Sequence, residues 1–163
     1  MQPDIYFGSL RLAEAGIALT GLFIAVLCGY AYLRLKRRGA LSLPQRWIQR
    51  FFGLMAIASV LGPFFGHLFY YWAGFPGKYA CWVFTILSLG ALAQATIEHA
   101  RPTLSERANS VLTGLNVFLL LSALAVSGAQ KSFHWVEAHT AIALLGILAP
   151  LEFRMLKQFA DPG

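Results

Sequence analysis

The fold class this sequence predicts is all-α: a polytopic bundle of five membrane-spanning helices, N-terminus outside and C-terminus cytoplasmic, with residues 1–163 forming a single domain. Three observations predict it. Only 12% of the 163 residues are charged and 58% are hydrophobic, whereas a soluble domain carries about 25% charged residues. Five apolar runs have the length of a bilayer crossing, roughly 20 residues at 1.5 Å each. Lys and Arg gather between those runs, and they do so unevenly. The connection after the first run holds Arg34, Lys36, Arg37, Arg38, Arg46 and Arg50, the one after the third holds Arg101 and Arg107, and the tail holds Arg154 and Lys157. Those ten face one side, against Arg11, Lys78 and Lys131 on the other, and the positive-inside rule makes the richer side cytoplasmic.

The first ten residues are short and mixed, and no cleaved signal peptide is expected because no basic stretch or small-residue cleavage site precedes the apolar run. Span one covers about 13–33, with Arg11 and Glu14 at i, i+3 able to pair on one face at its start. Span two, about 51–72, lacks any Lys, Arg or acid but contains His67. Pro63 removes a backbone N–H and frees the carbonyl of Ser59, and Ser59, Pro63 and His67 share a face, flanked by Gly62 and Gly66, which favour close helix approach. AGFPGK, over 73–78, reads as a tight turn. Span three covers about 79–96 with Thr85, Ser88 and Gln94. Span four covers about 109–127 and carries Asn116 near its middle, and span five covers about 136–155 with Pro150 near its end. Asn116 and Gln94 are expected to bond between helices. Tyr70, Tyr71, Trp72, Tyr79, Trp82 and Trp135 fall at the outer edge, where an aromatic belt belongs. Cys28 and Cys81 lie at different depths, beyond the reach of a disulfide.

The net charge of +6 follows the loops, so the partners it implies are membrane lipids and other membrane subunits. Nucleic acid is excluded as a partner because no aromatic-basic module is present.

An ionisable group inside a span is costly and marks a candidate site. The topology places His67 roughly 8 Å inside the outer end of span two. It also sets His134, Glu137 and His139 at the outer start of span five, and Glu14 with Arg11 at the outer start of span one. His99 lies on the cytoplasmic side. Three readings follow. Each group satisfies a local need; or His67, His134 and His139 ligate a metal such as zinc, with Glu137 or Glu14 as general base; or His67 and His139 are the axial ligands of a haem b held between spans two and five. His134 and His139 are five residues apart, about 140° on a regular helix, so a shared ion needs His134 in the preceding loop. Ser59 and His67, roughly 12 Å apart along the axis, cannot form a nucleophile pair.

The segments LGPFFGHLF in span two and FHWVEAH opening span five resemble the ceramidase-like superfamily of integral membrane hydrolases, and in particular its bacterial members with a second-helix His and a final-helix HxxxxH. The resemblance implies zinc on His67, His134 and His139 and hydrolysis of a lipid amide or ester. This chain differs in having five spans where that superfamily has seven. The functional expectation is an integral protein of a bacterial inner membrane with an outer-leaflet His/Glu cluster acting as a metal-dependent hydrolase. The alternative is a haem-binding or accessory structural subunit of a larger membrane complex.

Overall fold

The structure, a computed structural model, describes residues 5–7, 10–12 and 15–160. It is a helical bundle with five helices long and apolar enough to cross a membrane. Ahead of them, strands β1 (Ile5–Phe7) and β2 (Leu10–Leu12) pair antiparallel, Tyr6 opposite Arg11. Arg11 therefore lies on a strand and not at a helix start. The expected Arg11–Glu14 helical pairing is corrected to that extent, and Glu14 lies outside the described residues.

Helix α1 (Ala15–Lys36) buries Ala18, Ala25 and Cys28 along one stripe and leaves Leu19, Phe23 and Val26 exposed, as a helix facing lipid on its other side does. Helix α2 (Leu43–Leu61) starts two turns before its apolar run. The backbone N–H of Ser42 donates to Gln45 Oε1 (3.0 Å), and Pro44 occupies the first turn, where its missing N–H costs nothing. From Gly62 to Leu68 the helix widens to π geometry, closed by the Phe69 N–H donating to the Phe64 carbonyl (2.8 Å). Pro63, at the second position of that segment, cannot make the i→i−4 bond that would hold α register, and the shift to wider turns begins there.

Helix α3 covers Tyr70–Ala100, but it is two helices joined across a kink: Gly74, inside the expected turn over 73–78, adopts φ 60°, ψ −156°, a conformation that needs glycine, two residues before Pro76. Helix α3 is the centre of the bundle. Of the residues in its apolar stretch 61% are buried, against 28% at most in the other spans. It packs against α2, against α4 (Glu106–Gln130), and against the last span, in which α5 (His134–Ala141) passes through a second π segment (Ile142–Leu148) into α6 (Ala149–Ala160). Pro150 follows this second π segment and withholds a donor there. Ala93, Ile97 and Ala100 of α3 pack on Ala143, Ile147, Leu151 and Met155 at the end of the bundle carrying the basic loops. Trp82 and Ile86 pack on Ala123 and Val136 toward the aromatic end, where the Tyr79 hydroxyl donates to the Leu124 carbonyl (2.9 Å).

Close approach of span two to its neighbours is borne at Gly62 and not at Gly66. A Cβ on Gly62 would meet Cys81 Sγ at 3.0 Å, whereas one on Gly66 would meet nothing within 4 Å. The tightest glycine contact with a rigid group is Gly21 of α1, where a Cβ would lie 2.5 Å from Cγ of the Pro63 ring. Gly21→Leu should therefore cost about 1–3 kcal/mol, as overpacking does, while Gly29→Leu, whose Cβ enters open space, should leave stability unchanged or slightly raised. Thermal unfolding in detergent measures both; equal midpoints for the two variants would contradict the α1–Pro63 contact.

Candidate functional site

The most polar part of the bundle interior lies between α3 and α4. Asn116 and Gln94 are both buried, 4% and 7% exposed. In hydrocarbon neither amide finds water, so each must be satisfied by protein. The Asn116 Nδ2 group donates to the Gly90 carbonyl (3.0 Å) and to Gln94 Oε1 (3.2 Å). Gln94 Nε2 donates to Glu98 Oε1 (3.1 Å) and Thr113 Oγ1 (3.3 Å). Glu98 in turn pairs with Arg101 (3.6 Å), so a continuous polar chain runs from the middle of α4 to the basic end of the bundle. The i, i+4 spacing of Gly90, Gln94 and Glu98 puts all three on one face of α3.

Beside this chain is a groove of about 730 Å³ that is open between α2 and α4 and floored by α3. Leu87, Gly90, Ala91 and Gln94 form its floor, Gly53, Leu54 and Ile57 one wall, and Val117 and Leu120 the other. Gly29 and Tyr32 of α1 close its back, and Trp47 and Arg50 stand at one end, with the Arg50 guanidinium 4.3 Å from the Trp47 ring centroid. Ile57 and Val117 at its edges are 45% and 49% exposed, so it opens sideways. From Trp47 to Ile57 the groove extends ~15 Å by helical rise, about half a hydrocarbon core. It is apolar along its length, has an amide floor in the middle, and carries one cation at the mouth.

The expected histidine cluster is distributed differently. His67 lies half-buried in the first π segment, which packs chiefly on α1 and α3. His139 is buried on α5, which packs chiefly on α4 and α3. Span five is thus not the principal neighbour of the His67 segment, because shared depth does not make two helices adjacent. His134 is exposed, and its Nδ1 lies 2.9 Å from Glu137 Oε2, an exposed i, i+3 pair at the start of α5. His139 Nδ1 is buried without a hydrogen-bond partner, beside a cavity of about 130 Å³ shared with Ser122 and Trp135. Among the described residues no three His, Cys, Asp or Glu side chains converge as metal ligands. The set His67, His134 and His139 therefore does not form a common zinc site, and the segments of His67 and His139 share α3 as a neighbour while packing otherwise on α1 and α4. His99 lines a separate cleft of about 500 Å³ with Thr96 and Glu152 at the basic end.

The amide pair was legible in the sequence. The groove was not, and its one sequence signal is Gly29, the lining glycine over which no atom lies within 4 Å of a Cβ.

An integral membrane helical bundle with an intramembrane groove is the class that fold and site define. The chain belongs to a family whose own description is Family of unknown function (DUF6962), the family model matching residues 17–161. No curated protein matches the chain, and no solved structure does.

The amide pair yields a quantitative expectation. Asn116→Ala and Gln94→Ala should each destabilise the bundle by about 1 kcal/mol, and the double variant should cost less than their sum, by a coupling of about 0.6–1.7 kcal/mol. Unfolding of the three variants in mixed micelles measures it, and strict additivity would show that the two amides do not act together.

Proposed function

We propose that this chain is a lipid-binding integral membrane protein of a bacterial inner membrane, with its basic end in the cytoplasm and its groove holding a long-chain lipid from the cytoplasmic leaflet. The observation that carries the reading is the groove itself: about 730 Å³, walled by Leu54, Ile57, Val117 and Leu120 and opening toward the surrounding bilayer. Ligand sites are concave and mostly apolar with a few placed polar groups, in the size range of roughly 300–1,000 Å³. The ten-to-three distribution of Lys and Arg supports the orientation. A metal-dependent hydrolase of lipid amides or esters would act on the same class of molecule, but it requires a ligand set that the positions of His67, His134 and His139 do not support.

Gly29→Phe tests the reading without disturbing helix contacts, because a side chain there enters the groove and meets no atom within 4 Å at Cβ. Lipid co-purified with the variant, counted by native mass spectrometry, should fall about tenfold, the equivalent of 1.4 kcal/mol. Occupancy equal to wild type would refute the groove as the binding site. For the orientation, Ala40→Cys in a chain with Cys28 and Cys81 replaced by Ala should be labelled by an impermeant maleimide only after the cytoplasmic face is opened, and labelling of intact cells would reverse the topology.

A further inference from the structure

Resting on that lipid-binding reading, the mouth of the groove carries information about the headgroup. Arg50 is the single charged residue lining it. No carboxylate among the described residues pairs with Arg50. Its guanidinium stacks on Trp47 and so is held in place at the end of the apolar channel. A guanidinium offers a planar fork of donors that matches phosphate oxygens. One turn earlier on α2, Arg46 donates through Nε to the Leu41 carbonyl (3.1 Å) and keeps its own charge at the same end. Arg34, Lys36, Arg37 and Arg38 follow the end of α1 and its last turn.

The acids at this end are engaged elsewhere or line other features. Glu98 is held by Arg101 and Gln94, Glu152 lines the separate cleft with His99, and Glu106 lies at the start of α4. A headgroup whose phosphate sits at Arg50 therefore meets cations and no opposing carboxylate on the groove wall. A choline or ethanolamine group would bring a further positive charge into that field, whereas a glycerol or serine headgroup leaves net negative charge there.

We propose that the groove selects an anionic phospholipid, with the phosphate on Arg50 and an acyl chain lying along Gly53, Leu54 and Ile57 over the Gln94–Asn116 floor. The Trp47–Arg50 pair sets the headgroup at the interface, and the ~10 Å of groove beyond Arg50 takes the chain toward the middle of the bilayer. Arg50 confers the choice of headgroup, and the apolar channel lined by Leu54, Ile57, Val117 and Leu120 confers the binding of the chain.

The experiment compares phosphatidylglycerol with phosphatidylcholine of identical acyl chains, titrated into the delipidated full-length protein and read by native mass spectrometry. The wild type should prefer phosphatidylglycerol by about fivefold, the size expected of one cation near an anionic surface. Arg50→Gln should bring the preference to near unity while retaining phosphatidylcholine, and Arg50→Lys should keep part of it. Lys131→Gln, at the opposite end of the bundle, should leave the preference unchanged. Equal binding of the two lipids by the wild type overturns the proposal, as does a preference that survives in Arg50→Gln or vanishes in Lys131→Gln. Gly29→Phe separates the two levels: loss of both lipids there supports the groove, while undiminished binding of both refutes the groove reading as well as the headgroup assignment.

Discussion

Lipid tails are as apolar as leucine, so helices in a bilayer gain little by hiding apolar side chains from their surroundings, and association has to come from close packing and interhelical hydrogen bonds. The stretch of α3 from Ser88 to Ile97 meets this constraint directly. It reads SLGALAQATI, and of its ten residues only Leu92 is not buried. Small side chains let α2, α4 and the last span approach, and Gln94 and Asn116 supply hydrogen bonds that join the middles of α3 and α4. The other four spans bury only a stripe each, and the course of the bundle follows from which stripe meets α3 or its neighbours.

The same solvent constrains the backbone. A carbonyl released by proline inside a span has no water to turn to. Pro63 and Pro150 are two such prolines, and beside each the helix widens, over Gly62–Leu68 and over Ile142–Leu148, whereas Pro76 of α3 follows the break at Gly74. Each widening brings a change of register that turns the helix faces beyond it. Pro63 also serves as a packing surface, because its ring occupies the space left by Gly21. One residue thus shapes the helix it belongs to and fixes the distance to α1.

Depth was readable from the sequence because hydropathy and basic loops measure position along the bilayer normal. All five spans and the burial of Asn116 and Gln94 follow from that coordinate. The angular position of each helix around the bundle was not readable. His67 and His139 were placed at one level by their distances from the span ends, but α3 is the common neighbour of the two segments, and nothing in a single hydropathy profile encodes that arrangement. The Gly/Pro stretch 73–78 does mark a break, at Gly74, but the departure from helix is confined to that one residue and helix continues on both sides of it. The groove has no counterpart in the sequence pattern because its walls come from four helices, with open space over Gly29 while Tyr32 and Leu120 pack over Gly53 and Gly90, and such a shape exists only when the helices are assembled.

A cleft whose edges, Ile57 and Val117, face the bilayer fills without any passage through water. Under the lipid-binding proposal its occupant would be drawn from molecules already dissolved in the membrane and would exchange by lateral diffusion. Its occupancy would then follow the mole fraction of a lipid in its leaflet and be indifferent to how sparingly that lipid dissolves in the cytosol. A bundle built this way would take its set point from membrane composition, even when the amount of protein is constant.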